Sequence, residues 1–433
     1  MQKITLISRG KVTILVIRLT SIVFYFQVHQ PYRLNQNFRR DRFFKEQSIE
    51  KLEALYFNEE LNKDVFQRVA KKCYLPANDV WLKAIDEFRN DARQVKIAFS
   101  LTGTMLEQAE RYAPDVVDSF KQLAQTGCVE FLGETYYHSL TAIYGTTKTE
   151  FREQVKQHSE IMQELFHWKP TTFRNTELIL NNAIMKEVAA LGFKTILGEG
   201  IEHILPANNQ SPNYVFESVI APNLKVLLRN YQLSDDIAFR FGSGRWEEYP
   251  LYADKYASWL ANSPGDCINI FMDYESLGEH LWAESGIFEF LKHLPREVFT
   301  YEHLEFLTPG EVAEKYSPKG KIAIDDFSTI SWADDRDLGA WLKNPLQHIS
   351  FDDQKFLEAP IKELNNPTLL RIWRMLTTSD HLYYISQADA GPGEVHSYFS
   401  HYDTPLEAFA NYNEIISDLT ARTLMLLHAK TKK

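Results

Sequence analysis

Seven short apolar runs recur along the first 273 residues, and each closes on polar or ionisable side chains. Residues 22–28 lead into His29, residues 95–99 into Ser100 and Thr102, and residues 129–132 into Gly133 and Glu134. Residues 171–173 precede Arg174 and Glu177, 194–197 precede Gly198 and Glu199, 226–228 precede Arg229, and 268–272 precede Asp273. Apolar runs of this length without polar alternation suit strands buried on both faces, as in parallel sheets covered by helices. Helical patterns lie between them. Val116, Val117, Phe120 and Leu123 share one face before Gly127, and residues 151–166 and 181–191 behave alike. Strand alternating with helix predicts an α/β fold of βα units, and in barrels of such units the functional groups gather at the C-terminal strand ends.

Beyond Asp273 the rhythm changes. Thr308-Pro309-Gly310-Glu311 and Thr404-Pro405-Leu406-Glu407 each read as N-cap, proline at the first helical position and glutamate at the third. Phe409, Tyr412, Ile415, Ile416 and Leu419 then recur at helical spacing, and residues 361–385 form another helical stretch in which Pro367 marks a start or a break. The expected organisation is an extension over residues 1–20, a barrel over 21–300, and a mainly helical region over 301–433 packed on that barrel and contributing to its cleft.

Composition narrows the function classes. With 44% hydrophobic and 24% charged residues the chain can bury a large core. A net charge of −11 argues against nucleic acid and anionic membrane as partners, since both need a basic face. No segment is long and apolar enough to span a bilayer. Lys3, Arg9, Lys11 and Arg18 surround an apolar ILVI, but Arg18 interrupts the apolar stretch and no small-residue cleavage site follows. An extension is therefore expected in place of a signal peptide. The three cysteines, Cys73, Cys128 and Cys267, are sparse and distant, which implies no disulfide framework and a cytoplasmic setting. Aromatic residues reach 13%, with 21 Tyr and 8 Trp, a surplus that suits the apolar faces of sugars.

Glu177 and Asp273 stand at matching places after two of the seven runs. On one rim, two carboxylates facing a single bond are the equipment for cleaving a glycosidic linkage. Taken alone, Glu177 also reads as a helix-start carboxylate and Asp273 as a turn residue, with Glu275 competing for its role.

The ordered motifs carry a resemblance. HQP at 29–31, GETYYHSL at 133–140, FRNTELILNN at 173–182, LRNYQLSDDIAFRF at 228–241 and FMDYESLGEH at 271–280 resemble those of glycoside hydrolase family 57, most closely its α-amylase-type branch. ISWADDRDLGAWLKN at 330–344 and TSDHLYYIS at 378–386 resemble later motifs of that branch. The resemblance spans about residues 21–400. It implies a seven-stranded parallel (β/α) barrel, distorted and TIM-like, with a helical C-terminal region. It also implies retaining cleavage of α-1,4-glucosidic bonds in glycogen, starch or maltodextrins, with Glu177 as nucleophile and Asp273 as acid/base. Leu180 and Leu277 depart from the family pattern, standing where aromatics are expected.

The remaining candidates are supporting residues. His29, Glu134 and His138 are placed to bind sugar hydroxyls or steer a carboxylate, and Arg174 to keep Glu177 ionised. Trp332 and Trp246 are candidate stacking platforms, with Tyr274 and Trp341 weaker ones; Trp332, Asp334 and Trp341 lie outside the barrel proper, and the resemblance adds Asp380 as a substrate contact. Asp235 and Asp236 read as caps of a helix starting near Ser234. His29, His138, Asp273, His280 and His381 invite a metal reading, but no His pair has HxH or i, i+4 spacing, so no metal or other cofactor is expected. Competing readings are a 4-α-glucanotransferase or branching enzyme on the same residues, a glucan-binding barrel with vestigial chemistry, and a metal-dependent deacetylase. Oligomeric state has no signature in the sequence.

Overall fold

The computed structural model describes residues 2–8, 11–17, 19–40, 48–145, 147–207, 211–333, 335–387 and 400–432, so Asp334 lies outside the described residues. β1 (Gln2–Ser8) and β2 (Lys11–Ile17) pair antiparallel as a hairpin. The seven apolar runs all become strands. They are β3 (Thr20–Val28), β4 (Ile97–Leu101), β5 (Val129–Phe131), β6 (Thr172–Phe173), β7 (Thr195–Glu199), β9 (Lys225–Arg229) and β10 (Cys267–Asp273), with β8 (Val215–Ser218) inserted before β9. Two further short strands follow, β11 (Leu304–Phe306) and β12 (Lys321–Ile322).

The ladders form two five-stranded sheets instead of one closed seven-stranded barrel. In the first, β10, β3, β4 and β5 run parallel, and β11 pairs with the start of β3. In the second, the order is β12-β8-β9-β7-β6, with β8 antiparallel to β9. The seams are thin for local reasons. Since β6 has only two residues, it reaches β5 through a single bridge, Gly133 to Phe173. At the other seam the Asn230 N–H donates to the Asn269 carbonyl at 2.8 Å, and the Asn269 side chain donates to the Leu228 carbonyl at 2.8 Å.

Strand period two sorts the side chains. Along β3, Ile22, Phe24, Phe26 and Val28 pack into the large apolar layer beneath the helices, while Val23 and Tyr25 join an inner cluster. Ala98, Leu132, Leu197, Leu227 and Phe271 share that inner cluster, and Val312 reaches it from the helix Pro309–Lys315. Both faces of every parallel strand are thus occupied, which is why these runs lack polar alternation. The expected capping is present. Thr308 and Glu311 form a capping box, Thr404 accepts from the Glu407 N–H, and Pro367 opens the helix Pro367–Leu376. No helix among the described residues is long and apolar enough to cross a membrane.

Candidate active site

Continuing each strand's inner face in steps of two residues gives one or two polar side chains per strand. From Tyr25 the series runs to Gln27 and His29; from Ala98 to Ser100 and Thr102; from Leu132 to Glu134. Arg174 follows Thr172, Glu199 follows Leu197, Arg229 follows Leu227, and Asp273 follows Phe271. These residues form the floor and rim of one site.

Glu177 sits just beyond β6, in a turn over Thr176–Leu178 where Glu177 and Leu178 both take positive φ, 58° and 51°. Non-glycine residues hold that conformation only where their surroundings enforce it. Here Leu178 is fully buried in the inner cluster, and Leu180 exchanges backbone hydrogen bonds with Ile330. The Trp332 N–H also donates to the Glu177 carbonyl at 3.2 Å. The Glu177 carboxylate is gripped from three sides: His138 Nε2 lies 3.0 Å from Oε1, Ser379 Oγ donates to Oε1 at 3.3 Å, and Trp332 Nε1 donates to Oε2 at 2.7 Å. Burial alone would push this carboxyl up. The His138 hydrogen bond and charge, the Arg174 charge and the Trp332 N–H outweigh it, and the group is held below the usual carboxylate range.

Asp273 ends β10, opposite Gln27 in the ladder. Its carboxyl is pushed up to about 7, chiefly by burial and then by the negative charge of Glu177, with Arg174, His138 and Arg229 opposing. Two carboxyls on one rim are therefore driven in opposite directions by their settings.

The neighbours explain this difference. His138, itself at positive φ, has Nδ1 3.3 Å from Glu134 Oε2 and Nε2 on Glu177. Although burial would lower it, its two carboxylate partners raise it to about 9, so both ring nitrogens carry protons and donate. His29 stacks on His138 with centroids 4.2 Å apart and planes 23° apart. Burial and the His138 charge lower its pKa. Its ring bridges Thr102 Oγ1 and Asp380 Oδ2, each at 3.0 Å. Glu134 is fully buried and accepts from Gln27 Nε2 at 3.2 Å. Arg174 is fully buried with its guanidinium 4.6 Å from the Trp332 ring, and none of its three side-chain nitrogens has a hydrogen-bond partner among the described residues.

Thus Glu177, Asp273, His29, Glu134, His138, Arg174, Trp332 and Asp380 converge on one centre. Trp246 does not join them. It follows the turn after Asp236–Arg240 and packs edge-on against Trp259 at 6.1 Å, in a separate groove. Tyr274 and Trp341 are buried in the core. Glu275 is buried too, accepting from Tyr74 at 2.5 Å and from the His29 N–H at 3.2 Å. Burial and the Asp273 charge raise it to about 8. Asp235 and Asp236 are not helix caps. The helix is Tyr231–Asp235, capped by Asn230, whose side chain accepts from the Leu233 N–H directly after the strand ends at Arg229; Asp235 pairs with Arg229 and Asp236 with Arg240. Glu199, Arg229 and Arg336 escaped the sequence reading. Glu199 Oε2 accepts from Arg229 at 3.1 Å and from Arg336 at 2.6 Å. The period-two extension of the strands exposes the first two, whereas nothing local marks Arg336. Among the described residues no group of three or more His, Cys, Asp or Glu is placed to hold a metal ion.

The sequence profile of Glycosyl hydrolase family 57 matches residues 23–325. The chain belongs to glycosyl hydrolase family 57. It is 47% identical over 406 residues to a Methanocaldococcus jannaschii protein named "Putative alpha-amylase", covering 92% of this chain and 83% of that relative. Family-57 folds are also found among solved structures. A 4-alpha-glucanotransferase from Thermococcus litoralis superposes with TM-score 0.63 at 15% identity, over 92% of this chain and 60% of that enzyme, so the chain spans about three fifths of its length. A GH57 branching enzyme from Thermococcus kodakaraensis gives 0.60 at 13% identity, over 88% and 87% of the two chains. An alpha-amylase from Thermotoga maritima gives 0.55 at 12% identity, over 94% and 97%. At these identities the structural likeness speaks for the fold. Membership of the family makes the chain a glycoside hydrolase.

Proposed function

We propose that this family-57 chain is a retaining hydrolase of α-1,4-glucans such as glycogen, starch or maltodextrins, acting by double displacement. Glu177 is the nucleophile and Asp273 the acid/base. The observation that carries this reading is geometric: Glu177, gripped by His138, Ser379 and Trp332, shares one rim with Asp273 at the end of β10, and burial and the Glu177 charge push the Asp273 carboxyl up while Glu177 is held below the usual range. Such a separation of acidities is how two carboxyls take different roles in glycoside cleavage. The Glu177 carboxylate attacks the anomeric carbon while protonated Asp273 donates to the departing oxygen. A covalent glycosyl-enzyme forms, and Asp273, now ionised, takes a proton from the water that releases the sugar with its configuration kept. His138 and the Trp332 N–H orient Glu177. His29 and Asp380, hydrogen-bonded to each other, present polar edges to sugar hydroxyls. The seven inward strand ends act as one distorted barrel rim. All three cysteines are buried and unpaired, in keeping with a cytoplasmic setting.

The test is trapping. Incubation with a slow fluorinated α-glucosyl donor and peptide mass analysis should place the label on Glu177; a label on any other residue overturns the assignment. Digestion of maltoheptaose should yield only shorter chains, and chains longer than seven units would replace hydrolysis with glucan transfer.

A further inference from the structure

A groove of about 550 Å³ lies against the seam between β9 and β10, and its described lining includes neither Glu177, Asp273, His138 nor Trp332. The thin seam makes room for it. Residues 211–213 cross the outside of the gap, where the Asn213 carbonyl accepts from the Asp266 N–H at 2.9 Å and Asn230 Nδ2 donates to Asn213 Oδ1 at 3.0 Å. Gly200 lies in the wall, where a Cβ would come within 2.2 Å of the Arg229 carbonyl oxygen and 2.8 Å of Pro212, so a larger residue would displace the seam.

The lining chemistry is selective. Trp246, Trp259 and Tyr231 supply rings, the two tryptophans standing nearly perpendicular at 75°. Glu202, Asp236 and Glu248 supply carboxylates, and no lysine or arginine is among the described lining residues. Two of these carboxylates are offset by cations just outside the lining, Asp236 by Arg240 at 2.7 Å and Glu248 by Lys255 at 2.5 Å, so the groove offers polar oxygens with little net charge. Rings that take the C–H face of a pyranose, beside carboxylates and amides that accept from its hydroxyls, suit a neutral saccharide; the volume falls within the usual range of small-ligand sites. Tyr249 and Tyr252, 49% and 64% exposed, follow Trp246 and extend the aromatic surface outward.

We propose that this groove is a second α-glucan-binding site that holds a stretch of chain away from the bond being cleaved; the choice of α-glucan rests on the function proposed above. One side chain joins the two sites. The Arg336 guanidinium lies 4.8 Å from the Tyr231 ring in the groove wall, and its Nη1 donates to the Trp332 carbonyl at 3.1 Å, while Trp332 Nε1 holds Glu177. A polymer occupying the groove therefore rests on the same arm that orients the nucleophile.

The experiment is calorimetric titration of the full chain carrying Asp273→Asn, so that ligand is not consumed, with maltoheptaose as the probe. A site is expected that weakens at least tenfold with added Trp246→Ala and several-fold with Glu248→Ala, a rim change that keeps the test open if the tryptophan variant fails to fold. Retardation in a glycogen-containing gel should fall in parallel. Maltoheptaose binding unaffected by either substitution overturns the groove and leaves the proposed hydrolase intact. Failure of the hydrolase reading looks different: wild-type chain releases no sugar and Glu177 takes no label, while a groove-dependent titration still upholds the second site. Equal affinity for cellohexaose overturns the choice of α-glucan.

Discussion

Glu177 and Asp273 differ in what surrounds them, not in intrinsic chemistry. Glu177 has three hydrogen-bond donors and a buried guanidinium nearby, whereas Asp273 has burial and a neighbouring negative charge. In Glu177→Gln that charge is gone, so the Asp273 carboxyl should titrate below about 7, as carboxyl infrared or NMR titration would read, while turnover falls by about 10³-fold or more. In the wild type kcat/KM should decline as pH rises through about 7, where Asp273 loses its proton. The same shift bears on stability. Because the folded-state pKa is raised above the unfolded value near 3.8, folding loses stability as pH climbs from that value through about 7. Asp273→Asn should therefore flatten this part of the urea-stability profile and be more stable than wild type above pH 7, while losing acid-catalysed cleavage.

At the scale of elements, the site is made by strand ends on one side and an incoming segment on the other. The seven runs were legible because parallel strands buried on both faces must be apolar throughout, and period two then carries His29, Glu134, Arg174 and Asp273 to the inner face. The segment bearing Trp332 was legible only as a motif. Its position depends on the Leu180–Ile330 backbone pair and on Arg336 reaching buried Glu199, pairings 150 and 137 residues apart in sequence. Trp332→Phe should keep the ring over Arg174 but remove the donor to Glu177. The acidic limb of the pH–rate profile should then move to higher pH and kcat/KM should drop about tenfold, with little change in Tm. An unshifted limb would mean that the indole N–H does not tune the Glu177 carboxylate.

Across the whole molecule, the C-terminal helices are fastened to the helix Thr149–Phe166 by buried charge as well as apolar contact. Glu150 is 1% exposed and pairs with Arg374 at 2.7 Å and Lys362 at 2.8 Å, joining the helix Thr149–Phe166 to two C-terminal helices. Glu150→Ala removes the buried partner while Arg374 keeps Glu153 and Lys362 keeps Glu153 and Glu358, so urea unfolding at pH 7 should show a loss of about 1–2 kcal/mol. That docking also brings Ser379 and Asp380 to the rim, since the Ser379 N–H donates to the His138 carbonyl at 3.0 Å. The sequence by itself determined the seven apolar runs that become parallel strands and, through period two, the polar residues that close their inner faces, because those follow from local period and polarity; Glu177 and Asp273 were singled out from other carboxyls only by the family resemblance. The tertiary structure alone decided the rest: the two seams that leave the ladder in separate sheets, the placing of Trp246 in a groove of its own, and the unequal acidity of the carboxyls. Acidity is a property of distance and burial, and those are set here by residues as far from Glu177 in the chain as Trp332 and Ser379, 155 and 202 positions away.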